Sequence, residues 1–156
     1  MFQSNVLKKI FIEAKKECLI MDRILTFGVY DYFHLGHLRL FKQCKEHADY
    51  LIVAVQNGSY IKKFKPEAII LYSTEERKEI ISSLRVVDEV VEYNELNIET
   101  VKGIDFDILA LGEDHVGERF DILKKWCHEN GKKVVTLKRT EGIASSDIKI
   151  KLGCLP

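Results

Sequence analysis

The sequence predicts an α/β fold built on a parallel sheet. Three observations carry that prediction. Short β-rich runs alternate with helical patterns from about residue 23 to the end of the chain. Tyr50-Leu51-Ile52-Val53-Ala54-Val55 is apolar throughout, as befits a strand covered on both faces. With 156 residues, 46% of them hydrophobic, the chain can bury one such core without disulfide or metal staples.

The elements follow in order. Val6, Leu7, Ile10, Phe11 and Ala14 recur at helical spacing with lysines between them, so residues 1–20 read as an amphipathic helical lead ahead of a domain spanning 21–156. Ile24–Val29 reads as the first strand, with Gly28 suggesting a turn or a close backbone approach. A helix is expected over Leu35–Ala48, a second strand over Tyr50–Val55, and a lysine-bearing loop over Asn57–Pro66. Ser73 and Glu76 have capping-box spacing for a helix running to about Arg85. Val86-Val87 and Val90-Val91 read as the third strand, Ile98–Lys102 as a short helix, and Asp107–Leu111 as the fourth strand. Glu118–Asn130 reads as a helix, Val134–Leu137 as the fifth strand, and Ser145 or Ser146 as the start of the last helix.

Composition narrows the function. Twenty-four basic residues balance 24 acidic ones. A net charge of zero argues against a nucleic-acid polymer or an anionic membrane surface as partner, since both are held by diffuse basic fields. No apolar run reaches the roughly 20 residues that span a bilayer, and the start Met1-Phe2-Gln3-Ser4-Asn5 lacks a basic n-region. Cys18, Cys44, Cys127 and Cys154 are far apart and read as reduced thiols of a cytoplasmic protein. His47, His115 and His128 are scattered, which leaves no third ligand for a zinc site.

In a parallel sheet, ligands bind beyond the carboxyl ends of the strands. After the first strand stands Thr26-Phe27-Gly28-Val29-Tyr30-Asp31-Tyr32-Phe33-His34-Leu35-Gly36-His37. His34 and His37 are three apart where a helix begins, so both imidazoles share a face beside free helix amides. Gly36 between them leaves room for a bulky group. Two imidazoles and a helix N-terminus suit phosphate oxygens. After the fifth strand stands Arg139-Thr140-Glu141-Gly142-Ile143-Ala144-Ser145-Ser146. Arginine offers phosphate a planar fork, Gly142 permits a tight turn, and a serine at a helix start can hold an anion.

H-L-G-H after a strand, with R-T-E-G-I-A-S-S near the C-terminus, resembles the cytidylyltransferase branch of the HxGH nucleotidylyltransferase superfamily, and most closely the glycerol-3-phosphate cytidylyltransferases. The likeness covers about Arg23 to Leu152 and includes Tyr72–Lys78, Arg85–Val90 and Arg119–Lys124. It implies a Rossmann-like parallel five-stranded sheet with helices on both faces. It also implies that CTP and a small phosphorylated alcohol give a CDP-alcohol, CDP-glycerol in the closest case, and pyrophosphate. The acceptor phosphate attacks the α-phosphorus directly, so the protein's part is positioning and charge stabilisation.

The resemblance assigns roles. His34, His37, Lys63 and Arg139 are expected to be catalytic. Thr26, Phe27, Gly28, Asp31, Gly36, Lys65, Gly112, Asp114, Thr140, Gly142, Ile143, Ser145 and Ser146 are expected to hold the nucleotide. Arg77 and Arg85 are candidates for the acceptor phosphate. Mg²⁺ is the expected cofactor, bound mostly by phosphate oxygens and water, with Asp31 as the nearby carboxylate. The basic members of these sets are expected to converge on one sheet edge. Ala144 stands where glycerol-phosphate members carry serine, His115 where they carry an aromatic, and Leu96 near where they carry tryptophan. The last two fall where the second substrate is expected. A homodimer and a role in building cell-surface polymers or phospholipids follow from the resemblance alone. Two other readings are adenylyl transfer to a sugar phosphate, against which the R-T-E-G stretch argues, and a non-catalytic nucleotide-binding module. The latter predicts loss of the motif histidines, yet His34, His37 and Arg139 all stand.

Overall fold

Alternate side chains of each central strand feed two separate cores, which is why the sheet ends up covered on both sides. Leu25 and Phe27, Ile52 and Ala54, and Leu109 and Leu111 pack with Val101, Phe120, Leu123 and Cys127. Ile24, Val53, Val55, Ile108 and Ala110 pack instead with Phe41, Cys44 and Ile81. The period of two along a strand produces this division directly.

A computed structural model describes residues 21–154. The predicted helical lead, with Cys18, lies outside the described residues. The elements are β1 (Arg23–Gly28), α1 (Leu35–His47), β2 (Tyr50–Gln56), α2 (Gly58–Phe64), α3 (Thr74–Ser82), β3 (Glu89–Tyr93), α4 (Ile98–Lys102), β4 (Ile108–Gly112), α5 (Glu118–Glu129), β5 (Lys133–Leu137) and α6 (Ser145–Lys151). The five strands are all parallel, in the order β3-β2-β1-β4-β5. The chain winds outward from β1 to β3, then returns to place β4 on the other side of β1. That reversal opens a crevice at the carboxyl ends of β1 and β4, the usual ligand position in such sheets.

The predicted α/β class and each predicted strand are present. Three local expectations need correction. Asn57–Pro66 is not all loop: the Asn57 side chain accepts from Ser59 N–H (2.8 Å) and Tyr60 N–H (3.2 Å), capping α2, and Tyr60 and Phe64 stack one turn apart with ring centroids 4.8 Å apart. The third strand starts at Glu89 rather than Val86, because Val87 N–H closes a turn onto the Leu84 carbonyl. The last helix starts at Ser145 as expected, but its N-cap is Ala144, which makes no side-chain hydrogen bond, so neither serine caps it. The Ser73–Glu76 capping box forms as predicted.

Polar residues at the amino edge of the sheet serve the fold. Asp88 accepts from Leu51 N–H at 2.7 Å and pairs with Lys45 at 2.8 Å, while Glu89 pairs with Arg23 at 2.8 Å. Cys44 and Cys127 are buried free thiols, and Cys154 is free and half-buried. Burial pushes the Cys44 thiol up to about 12, so it stays protonated. No helix among the described residues is long and apolar enough to cross a membrane.

Candidate active site

A cavity of about 520 Å³ opens over the crevice, lined by Gly28, His34 and His37 from the β1 side, Gly112 from β4, Arg139 from the loop after β5 and Ser145 from the start of α6. Its size suits a nucleotide-scale ligand.

His34 is the N-cap of α1. Gly36 N–H donates to its Nδ1 at 3.0 Å. Because Nδ1 accepts, the neutral ring carries its proton on Nε2. Nε2 lies 3.3 Å from the Ser145 hydroxyl, which in turn donates to the Asp31 carbonyl at 3.3 Å. The donors therefore run in one direction, from ring to hydroxyl to carbonyl. Gly36 is obligatory for the same reason: an added Cβ would meet the His34 ring at 2.8 Å. The room this glycine leaves is filled by the histidine itself, whereas the sequence suggested that a bulky ligand group would use it.

His37 stacks on His34 with centroids 3.9 Å apart. Tyr30 meets it edge-on at 5.3 Å, and Phe33 tilts against it at 5.5 Å. Its Nδ1 is enclosed without a hydrogen-bond partner, which leaves Nε2 to address the cavity. Burial first, and then the neighbouring His34, push its pKa down to about 3. Burial and then the charge of Arg139 also lower His34, against a smaller opposing pull from Asp147. The pair is therefore neutral at physiological pH. It offers phosphate oxygens the oriented His37 Nε2–H dipole, the His34 N–H being held by Ser145, and not two positive charges.

The backbone between them and the sheet is strained. Tyr30 (φ 55°) and Tyr32 (φ 51°) are left-handed, a conformation bulky side chains adopt at a cost of about 1–2 kcal/mol each. Asp31 between them, 6% exposed, accepts from Leu71 N–H at 2.7 Å and Tyr72 N–H at 3.0 Å. Arg77 Nη1 donates to the Val29 carbonyl at 2.7 Å and the Gln56 carbonyl at 2.8 Å. These bonds hold the strained turn in place.

Arg139 enters from the loop after β5, where Gly142 adopts φ +70° and makes the turn. Arg139 N–H donates to Glu113 at 2.8 Å, and the guanidinium faces Asp114 at 3.5 Å with both side chains 58% exposed. Such an exposed pair is weak, so an incoming phosphate can displace the carboxylate. His115 stacks flat on Phe120 at 4.8 Å, and its Nδ1 accepts from Gly112 N–H at 3.1 Å; burial lowers its pKa.

A model of the family described as "Cytidylyltransferase-like" matches residues 25–151. The chain belongs to that family. It is 38% identical over 136 residues to a glycerol-3-phosphate cytidylyltransferase from Staphylococcus aureus, covering 85% of this chain and 96% of that one. It is 40% identical over 102 residues to an FAD synthase from Thermococcus sibiricus, covering 64% of this chain and 66% of that protein. Among solved structures, the lipopolysaccharide core biosynthesis protein from Thermoplasma volcanium superposes with a TM-score of 0.62 at 29% identity, covering 77% of this chain and 97% of the other.

Of the cytidylyltransferase-like positions singled out in the sequence, His34, His37, Asp31, Phe27, Gly28, Gly36, Lys65, Gly112, Asp114, Arg139, Thr140, Ile143, Ser145 and Ser146 line the cavity together. Five do not. Thr26 is buried within β1, beneath the floor rather than on it. Gly142 shapes the loop without lining the cavity. Lys63 turns outward, its ammonium lying 5.9 Å from the Tyr60 ring centroid and 5.5 Å from that of Phe64. Arg77 is fully buried and donates to the carbonyls of Val29, Gln56 and Tyr72 and to the Thr74 hydroxyl, so it serves the fold instead of an acceptor phosphate. Arg85 is exposed in the turn before β3, at the amino edge of a parallel sheet whose carboxyl edge holds the cavity. The expected convergence of basic residues thus reduces to Lys65 and Arg139.

Two cations that sequence reasoning missed join them, Lys138 and Lys149. Lys149 lies four residues after Ser145, the spacing that shares a helix face, so a signal for it existed. Leu96 is buried in the core beneath the sheet and does not reach the cavity, whereas His115 does.

Asp31 does not suit a metal ligand. Each carboxylate oxygen already accepts a backbone N–H, and among the described residues no three His, Cys, Asp or Glu side chains cluster to hold an ion. Its position instead ties the turn after β1 to residues 71–72.

Proposed function

We propose that this chain transfers CMP from CTP to glycerol 3-phosphate, giving CDP-glycerol and pyrophosphate. One observation carries the reading. The paired histidines and Arg139 meet on a single cavity at the sheet crevice, in a chain 38% identical to a glycerol-3-phosphate cytidylyltransferase over most of both lengths. His37 presents its Nε2–H to the α-phosphate as charge moves toward the leaving pyrophosphate, and His34, whose own N–H is held by Ser145, stacks on that ring and fixes its position. Arg139, with Lys138, Lys149, Ser145 and Ser146, receives the β- and γ-phosphates. Lys65 receives the acceptor phosphate. Asp114 and the backbone at Gly112 offer acceptors to the base or ribose. Mg²⁺ belongs with the triphosphate and its water in this reading, since among the described residues no carboxylate cluster is gathered to hold it. The protein works as a cytoplasmic homodimer in this reading, with the 21–156 region as the catalytic unit.

The FAD synthase relative supports a second reading, adenylyl transfer. Pyrophosphate release from CTP with glycerol 3-phosphate and from ATP with a sugar phosphate or flavin mononucleotide separates the two. Faster CTP turnover is expected; faster ATP turnover would overturn the proposal. Sedimentation of the purified chain tests the dimer.

A further inference from the structure

The two walls of the cavity differ in chemistry. On the side of β4 and β5 polar and charged residues, among them Asp114, His115, Arg139 and Lys149, outnumber the apolar Leu137, Ile143 and Ala144. On the side of β2 it is Ile61, Ala68, Ile69 and Ile70, with Lys65 the one charged side chain among them. Asp31 borders this wall, but its carboxylate is taken by the Leu71 and Tyr72 amides.

In-line transfer decides which substrate meets the apolar wall. Attacking and leaving oxygens lie on opposite sides of the reacting phosphorus. With the leaving pyrophosphate against Arg139 and Ser145, the acceptor enters from across the cavity, along Ile61 and Ile70. An oxygen of its phosphate forms the new bond to the α-phosphorus. The bond from that phosphorus to the bridging oxygen breaks, and pyrophosphate leaves with the electron pair. No acceptor hydroxyl takes part and no net proton is exchanged.

We propose that the wall of Ile61, Ala68, Ile69 and Ile70 selects the acceptor by its short carbon skeleton and its phosphate, not by its hydroxyls. The acceptor class is then short phosphorylated alcohols, with the deoxy analogues of glycerol 3-phosphate included. This rests on the cytidylyl-transfer reading above.

The test compares kcat/KM, with CTP, for glycerol 3-phosphate and for propane-1,2-diol 1-phosphate, which lacks its terminal hydroxyl. An apolar pocket disfavours an added hydroxyl by about 100-fold at most and so leans toward the deoxy analogue, whereas a site that hydrogen-bonds the hydroxyl rejects its loss by about 10⁴-fold. The expected ratio is about tenfold or less. Any larger preference for glycerol 3-phosphate would overturn the proposal. Ile70→Asn should shift the ratio toward glycerol 3-phosphate by roughly tenfold through its new polar group. Ile69→Ser, at a more exposed position, gives the same readout should the first variant fold poorly, and an unchanged ratio in folded protein would also overturn the proposal. Failure of CTP to release pyrophosphate with glycerol 3-phosphate would overturn the underlying reading instead, and that arm is measured first.

Discussion

The Ser145 hydroxyl lies 3.3 Å from His34 Nε2, although 111 residues separate the two in sequence. This contact joins the motif after β1 to the motif after β5. It also orients His34, whose Nδ1 is already committed to Gly36 N–H. Ser145→Ala removes a neutral hydrogen bond of about 1 kcal/mol and should lower kcat/KM for CTP roughly fivefold to tenfold. Ser145→Thr keeps the hydroxyl and should retain most activity. Equal losses in both variants would show that the hydroxyl is not what matters.

His37 gives a pH prediction with a definite sign. Its folded pKa of about 3 lies below the ordinary 6.5, so the unfolded chain takes up the proton first as pH falls. The associated stability is therefore fully present above pH 6.5 and is lost progressively between pH 6.5 and about 3. The slope from this one group is at most about 1.4 kcal/mol per pH unit. Urea unfolding of the wild type and of His37→Asn across pH 4–7 isolates the term, because the variant lacks the titrating ring. Parallel curves for the two proteins would rule out the buried neutral imidazole.

The alternation of strands and helices was legible because both faces of the sheet are buried, so the strands read as unbroken apolar runs such as Leu51–Val55. The histidine pair was legible because three residues of helix place both rings on one face. What escaped depends on contacts between distant segments. Nothing near Arg77 marks it as buried; its partners Val29 and Gln56 are 48 and 21 residues away. Asp31 looked like a metal or phosphate residue because its partners Leu71 and Tyr72 lie 40 and 41 residues further on. Lys63 and Lys65 looked equivalent until α2 turned one outward and left the other at the cavity.

Arg77 should behave as a structural residue. Arg77→Met leaves the carbonyls of Val29, Gln56 and Tyr72 without their donor inside the protein. Unsatisfied buried groups cost about 1–3 kcal/mol each, so a total loss of roughly 3 kcal/mol or more is expected. Arg77→Lys keeps the charge but not the planar fork, and should fall between the two. Denaturant midpoints report the loss. A variant with wild-type stability and a raised acceptor KM would instead restore Arg77 as a phosphate ligand.

Lys65 and Lys63 provide the sharpest contrast, since they differ by two positions and share charge and chain length. Lys65 follows the end of α2, where its backbone N–H bonds to the Ile61 carbonyl and its side chain lines the cavity. Lys63 lies within α2 against the Tyr60 and Phe64 rings. A hydrogen bond to a charged phosphate is worth about 1.5–3 kcal/mol, so Lys65→Ala should lower kcat/KM for the acceptor roughly 10-fold to 150-fold. Lys63→Ala loses an exposed cation–π contact of about 0.5–1 kcal/mol and should leave kcat/KM within about threefold. Both variants need measuring at one fixed ionic strength, because removing either lysine changes the long-range field equally. Equal losses would mean that charge alone steers the acceptor, and a larger loss at Lys63 would mean that α2 rotates when substrate binds.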